Sequence, residues 1–147
     1  MAESKLLSIA WIMILIVGLG SIILGVIYVS LGTLMPYHEN FIGMTSSEIR
    51  SFNPKLMDFI GMLITLLGFF EISFGIMNMG VCLAGLRKGK KWAWITILFA
   101  DAFVFIPMTY VNYIVGGLGM PFPIGFSALI LWIVAMSLSA KKCLTSK

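Results

Sequence analysis

Residues 61–101 read GMLITLLGFFEISFGIMNMGVCLAGLRKGKKWAWITILFAD, and this stretch decides the fold. Two apolar runs flank a basic hinge, Arg87-Lys88-Gly89-Lys90-Lys91. About 20 apolar residues cross a bilayer as one helix, and both runs reach that length when followed outward. A link this short makes the two helices antiparallel neighbours. Each run carries one acid, Glu71 or Asp101. An ionised aspartate at the centre of a span costs roughly 2.5–3.5 kcal/mol on insertion scales, so these two residues are where the chain spends stability on chemistry.

The rest of the 147 residues agrees with a lipid solvent. The chain is 60% hydrophobic and 11% charged, against about 25% charged in an ordinary soluble domain. Its mean hydropathy is +1.05. A water-facing surface cannot be built from this set. We expect one all-α domain over residues 1–147, a polytopic four-helix transmembrane bundle with spans over 7–31, 57–86, 92–113 and 123–140. The net charge of +4 gathers at segment ends and not on a face interleaved with aromatics, which excludes nucleic acid as a partner.

Segment one holds no charge from Leu6 to Met35, and its Gly18, Gly25 and Gly32 recur every seven residues. Segment two repeats that spacing at Gly61, Gly68 and Gly75. Small residues on one stripe let two backbones approach, so the two segments are expected to pack closely along much of their length. The loop between them contains Thr45-Ser-Ser-Glu48, a capping-box spacing that predicts a short interfacial helix over residues 46–52. Asn53-Pro54 reads as N-cap and first helical residue of segment two. In segment three Pro107 is expected to kink the helix, freeing the carbonyl of Phe103. The link from Gly116 to Pro123 is uncharged and rich in breakers, hence a tight or partly re-entrant turn.

Basic residues set the orientation. Lys5, the four in Arg87–Lys91, Lys141, Lys142 and Lys147 fall on one side, and Arg50 and Lys55 on the other. The excess marks the cytoplasmic side, so both termini are expected in the cytoplasm of a cell-membrane protein.

Depth places the acids. At 1.5 Å per residue from the hinge, Asp101 stands roughly 15 Å up its segment and Glu71 roughly 22 Å up its own. If their faces meet, the two share one site, which would hold at least one proton because like charges close together repel. Asn78 and Cys82 follow Glu71 on one face, and Asn112 follows Asp101, with Phe105 and Met108 between. A polar seam of Glu71, Asp101, Asn78 and Asn112 walled by Phe105 and Met108 has the make-up of a small-molecule pocket. A plain alternative is a neutral acid–amide contact that fixes helix register.

No nucleophile–base set, phosphate loop or metal-spaced cluster is present, so the chain names no catalytic residue, no cofactor and no metal. His38 stands alone beside Glu39. Cys82 and Cys143 form no CxxC pair, and Cys143, just after the last span, is either an acylation site or an ordinary tail cysteine.

Met44-Thr-Ser-Ser-Glu-Ile-Arg-Ser-Phe-Asn-Pro54 followed by Leu86-Arg-Lys-Gly-Lys-Lys-Trp-Ala-Trp94 resembles small DoxX-like four-helix membrane proteins of largely unassigned function. The likeness covers roughly residues 40–101. It implies the four-helix fold, and it carries no functional residue onto this chain. The leading expectation is a non-enzymatic protein, with the bilayer around it, that binds a lipid-like or cationic small molecule at Glu71 and Asp101. The alternatives are an accessory subunit of a larger membrane complex (a redox enzyme, or a homo-oligomer) and a proton or cation translocator.

Overall fold

The computed structural model describes residues 2–145 and is helical throughout, without a strand among the described residues. Lys147, one of the basic residues used for orientation, lies outside them. Six α-helices follow in order: α1 (Ala2–Leu31), α2 (Pro36–Ile42), α3 (Ser46–Phe52), α4 (Pro54–Ala84), α5 (Lys91–Gly116) and α6 (Phe122–Thr145). A single 3-10 turn, Leu86–Lys88, joins α4 to α5. The four long helices are each long and apolar enough to cross a membrane.

Antiparallel pairing of α1 with α4 is the most extensive contact, and the glycines explain it. A Cβ placed on Gly25 would lie 2.5 Å from the Gly68 carbonyl oxygen, and one on Gly68 would lie 2.7 Å from that of Gly25. Gly18 meets Gly75 in the same way, and a Cβ on Gly61 would lie 2.7 Å from the Gly32 carbonyl oxygen, although one on Gly32 would meet only the Thr65 hydroxyl at 3.5 Å. The two seven-residue stripes therefore mesh tooth by tooth, with backbone against backbone where any side chain would hold the helices apart. Packing continues from α1 to α6 and from α6 to α5. By contrast, α4 and α5 are less closely packed, and meet through Asn78 with Asp101 and Phe74 with Phe105.

The hinge end is fixed by its own residues. Gly89 sits in the left-handed region at φ +69°, which a side chain would strain. Above it the Arg87 guanidinium covers the Trp11 ring at 5.3 Å, and the Trp94 indole Nε1–H donates to the Met136 carbonyl at 3.0 Å. At the opposite end α3 has its capping box: the Glu48 N–H donates to Thr45 Oγ1 and the Thr45 N–H donates to Glu48 Oε2. Asn53 Oδ1 accepts from Leu56 N–H to start α4.

Helix α2 was not expected, although its signal is legible: Pro36 at the first helical position and Gly43 just past the last follow the usual asymmetry of helix ends. Glu39 of α2 accepts from both the N–H and the hydroxyl of Ser46, which ties α2 to α3. These bonds favour the Glu39 carboxylate and hold it below the ordinary range. Boundaries also moved. The last helix runs five residues beyond Ala140, and α5 continues unbroken through Pro107 to Gly116.

Candidate functional site

The register that pairs Gly18 with Gly75 and Gly25 with Gly68 sets Ser21 of α1 beside Glu71 of α4. Both are buried, at 8% and 7% exposure. Ser21 is a polar neighbour of the Glu71 side chain, and no arginine or lysine is paired with Glu71 among the described residues. The carboxyl opens instead into a cavity of about 440 Å³. Glu71 is the one residue that α4 contributes to its wall. The remainder comes from α1 (Val17, Leu24), α5 (Phe105, Met108) and α6 (Ile124, Ala128, Leu131). The result is an apolar chamber with one acid in it.

Exposed residues mark the mouth of this chamber. Ile16 and Gly20 on α1 and Ile124 and Ser127 on α6 line the cavity and are also open to the outside. Gly20 is not one of the meshing glycines: a Cβ there would meet nothing within 4 Å. Its small size keeps the gap between α1 and α6 open.

Asp101 belongs to a different arrangement. At 1% exposure, its two carboxyl oxygens accept from the Asn78 amide Nδ2 at 3.0 and 3.1 Å. This contact bridges α4 and α5 where they approach. The adjoining cavity is small, about 90 Å³, and Phe74, Met77, Val81 and Ile97 share its wall with the pair. Asn78 Oδ1 is buried without a partner. Cys82, one turn further along α4, donates its thiol hydrogen to the Trp11 carbonyl at 3.2 Å.

Five of the six sequence-predicted site residues thus divide into two groups, and Asn112 stands apart. Glu71, Phe105 and Met108 line the large cavity, while Asn78 and Asp101 form the bridge near the hinge. Asn112 stands beyond Met108, with its amide against Gly125, where a Cβ would come within 2.6 Å of Nδ2. The expected meeting of the two acids does not occur as one cavity, and depth was the available signal. Counted from the hinge, Asn78 rises roughly 12 Å up α4, closer to the 15 Å of Asp101 than Glu71 is.

Sequence reasoning passed over Ser21, Gly20 and Tyr28. Ser21 and Tyr28 are seven residues apart and so share a face of α1, the same spacing that picked out the glycines. His38 makes a local contact: its Nδ1 accepts from the Met35 N–H at 3.2 Å, and burial holds the imidazole below its ordinary range. No group of metal-ligating side chains occurs among the described residues. Cys143 has 0% exposure, so in this fold its thiol is closed to an acylating enzyme.

Comparison with protein-family models, with curated proteins and with solved structures found no match to this chain.

Proposed function

We propose that this chain is a multi-pass cell-membrane protein that binds an apolar small molecule with a cationic or hydrogen-bond-donating head at Glu71. The basic hinge and both termini face the cytoplasm, by the excess of lysine and arginine at that end. Helices α2 and α3 lie at the opposite interface. The DoxX-like resemblance supports the same four-helix architecture.

One observation carries the binding reading: a carboxyl that is 7% exposed and has no cationic partner among the described residues opens into an apolar cavity of about 440 Å³. Small-molecule sites are built this way, with apolar walls fixing shape and a few polar groups fixing orientation. A donor or cation that reaches Glu71 replaces water the carboxyl has lost, and charge-assisted bonds of this kind are about twice as strong as neutral ones. Phe105 and Met108 supply an aromatic face and an adaptable thioether to the rest of the ligand. The Asn78–Asp101 bridge is the register-fixing element and does not take part in binding.

Native mass spectrometry of gently solubilised protein tests this reading. Wild-type protein is expected to carry a small-molecule adduct that Glu71→Gln loses and Asp101→Asn retains. Identical spectra for wild type and Glu71→Gln would overturn it. A co-purifying polypeptide in place of the adduct would favour the accessory-subunit reading.

A further inference from the structure

The Glu71 cavity has a neighbour on the other side of Met108. A second cavity of about 170 Å³ shares Leu24, Met108 and Ile124 with it and continues to Tyr28, Tyr37 and Asn112. Its far end is polar again. The Tyr28 and Tyr37 hydroxyls are hydrogen-bonded at 3.2 Å, and Tyr37 Oη donates to Met35 Sδ, so the tyrosines are satisfied by neighbours. Asn112 is not: among the described residues no hydrogen bond engages its half-buried amide, which Gly125 gives room to turn. Between the two polar ends the shared wall is Leu24, Met108 and Ile124, wholly aliphatic.

We propose that the two cavities form a single site for an unbranched bipolar molecule, with an amine at Glu71 and a neutral hydroxyl or amide at Asn112. This rests on the Glu71 reading above and narrows it to a ligand class. Two helices bracket the length. Ser21, beside Glu71, to Tyr28 on α1 is seven residues, a rise of about 10.5 Å. On α5 the Asn78–Asp101 and Phe74–Phe105 pairings set Glu71 level with Met108, and Met108 to Asn112 is four residues, a rise of about 6 Å. An extended chain advances about 1.2 Å per bond, so at most about nine bonds, or eight carbons between the heteroatoms, span the site. The two ends differ in charge. Glu71 complements a cation, whereas an asparagine amide offers a neutral donor and acceptor. A second charge at Asn112 would be buried without a counter-ion, so an amino alcohol fits better than a diamine.

The test is a titration of the full chain in nanodiscs with 6-amino-1-hexanol, 8-amino-1-octanol, 10-amino-1-decanol, octylamine and 1,8-diaminooctane, with Glu71→Gln nanodiscs as the blank for partition into lipid. The eight-carbon amino alcohol is expected to bind tightest, about tenfold better than octylamine, the worth of one well-made polar contact. Asn112→Leu should bring 8-amino-1-octanol down to the level of octylamine. Asn112→Asp, which keeps the side-chain shape, should move the preference to 1,8-diaminooctane. A series without a length optimum, or an unchanged preference in Asn112→Asp, overturns the bipolar site. If octylamine still binds in a Glu71-dependent way, the parent reading survives that result. If no compound binds above the blank, both fall.

Discussion

Replacing Gly25 by alanine isolates the contact that brings α1 and α4 together. The new Cβ would stand 2.5 Å from the Gly68 carbonyl oxygen, 2.7 Å from Ile72 Cγ1 and 2.8 Å from Ile72 N. Two of these atoms are backbone and cannot swing aside. Ordinary contact begins at 3.4 Å, so α4 must retreat by about 0.9 Å at this crossing. A gap of 0.5–1 Å forfeits a quarter to a half of each pair's well depth of 0.1–0.2 kcal/mol. Over some twenty atom pairs around the crossing that is roughly 1 kcal/mol, and overpacking generally costs about 1–3 kcal/mol.

Alanine also raises helix propensity over glycine by roughly 1 kcal/mol. Gly20→Ala and Gly80→Ala share that gain, and a Cβ at either position meets nothing within 4 Å. The comparison of Gly25→Ala with these two controls therefore cancels the propensity term and leaves the crossing itself, an expected difference of about 2 kcal/mol. Equilibrium unfolding in mixed micelles of increasing SDS fraction, followed by far-UV circular dichroism, measures it. Adding Gly68→Ala should cost less than its own single-variant value, because the second Cβ enters a gap already opened. If Gly25→Ala unfolds within 0.5 kcal/mol of Gly20→Ala, tight backbone approach is not what holds the pair.

Other perturbations probe the remaining features. Asn78→Leu leaves the Asp101 carboxyl buried without its donor and should destabilise by about 1–3 kcal/mol; in Asp101→Leu the effect of Asn78→Leu should shrink, and equal effects in both backgrounds would deny the bridge an energetic role. Gly20→Trp fills the gap between α1 and α6 without meeting a neighbour near its Cβ, and is expected to slow octylamine binding in stopped-flow fluorescence; an unchanged rate would mean that entry lies elsewhere. His38 is held below its ordinary range by burial, so the folded state favours the neutral ring that accepts from Met35. Its contribution is fully present above the unfolded value of 6.5 and is lost as pH falls through the lower folded value; the NMR shifts of the Met35 amide should follow that titration, and a midpoint at or above 6.5 would contradict it. Cys82 and Cys143 should resist maleimide in nanodiscs and react fully in SDS, and rapid labelling of the folded protein would show that α6 does not pack as described.

The parts of the fold that could be read in advance are those set by local chemistry or strict period. The Thr45–Glu48 box and the Asn53-Pro54 start depend on neighbours within four residues. The glycine stripes announce their partner because two matching seven-residue periods leave few ways to mesh. The division of the acids was harder to read. Helical rise gives a residue's height, but the azimuth of α5 about its own axis is set by what α6 presents to it, through Trp94 on the Met136 carbonyl and Gly125 under Asn112. Neither contact has a sequence signature of its own.

The same asymmetry of packing explains why there is a cavity at all. Glycine against glycine brings α1 and α4 close together, and Glu71, set between Gly68 and Gly75, lies beside Ser21 and lines the space bounded by α1, α5 and α6. There the bundle is looser. From α6 the space is lined by Ile124, Gly125, Ser127, Ala128 and Leu131, of which Gly125, Ser127 and Ala128 are too small to fill it. Phe105 and Met108 border the space from α5 without filling it. A chain that sought only to bury Glu71 could have closed this gap with a larger residue at Gly20, where a side chain meets no obstacle. With glycine at that position the acid keeps an open apolar chamber beside it, and α1 serves two ends: its Gly18–Gly25 edge fixes the register, and its Ser21–Tyr28 edge lines the site.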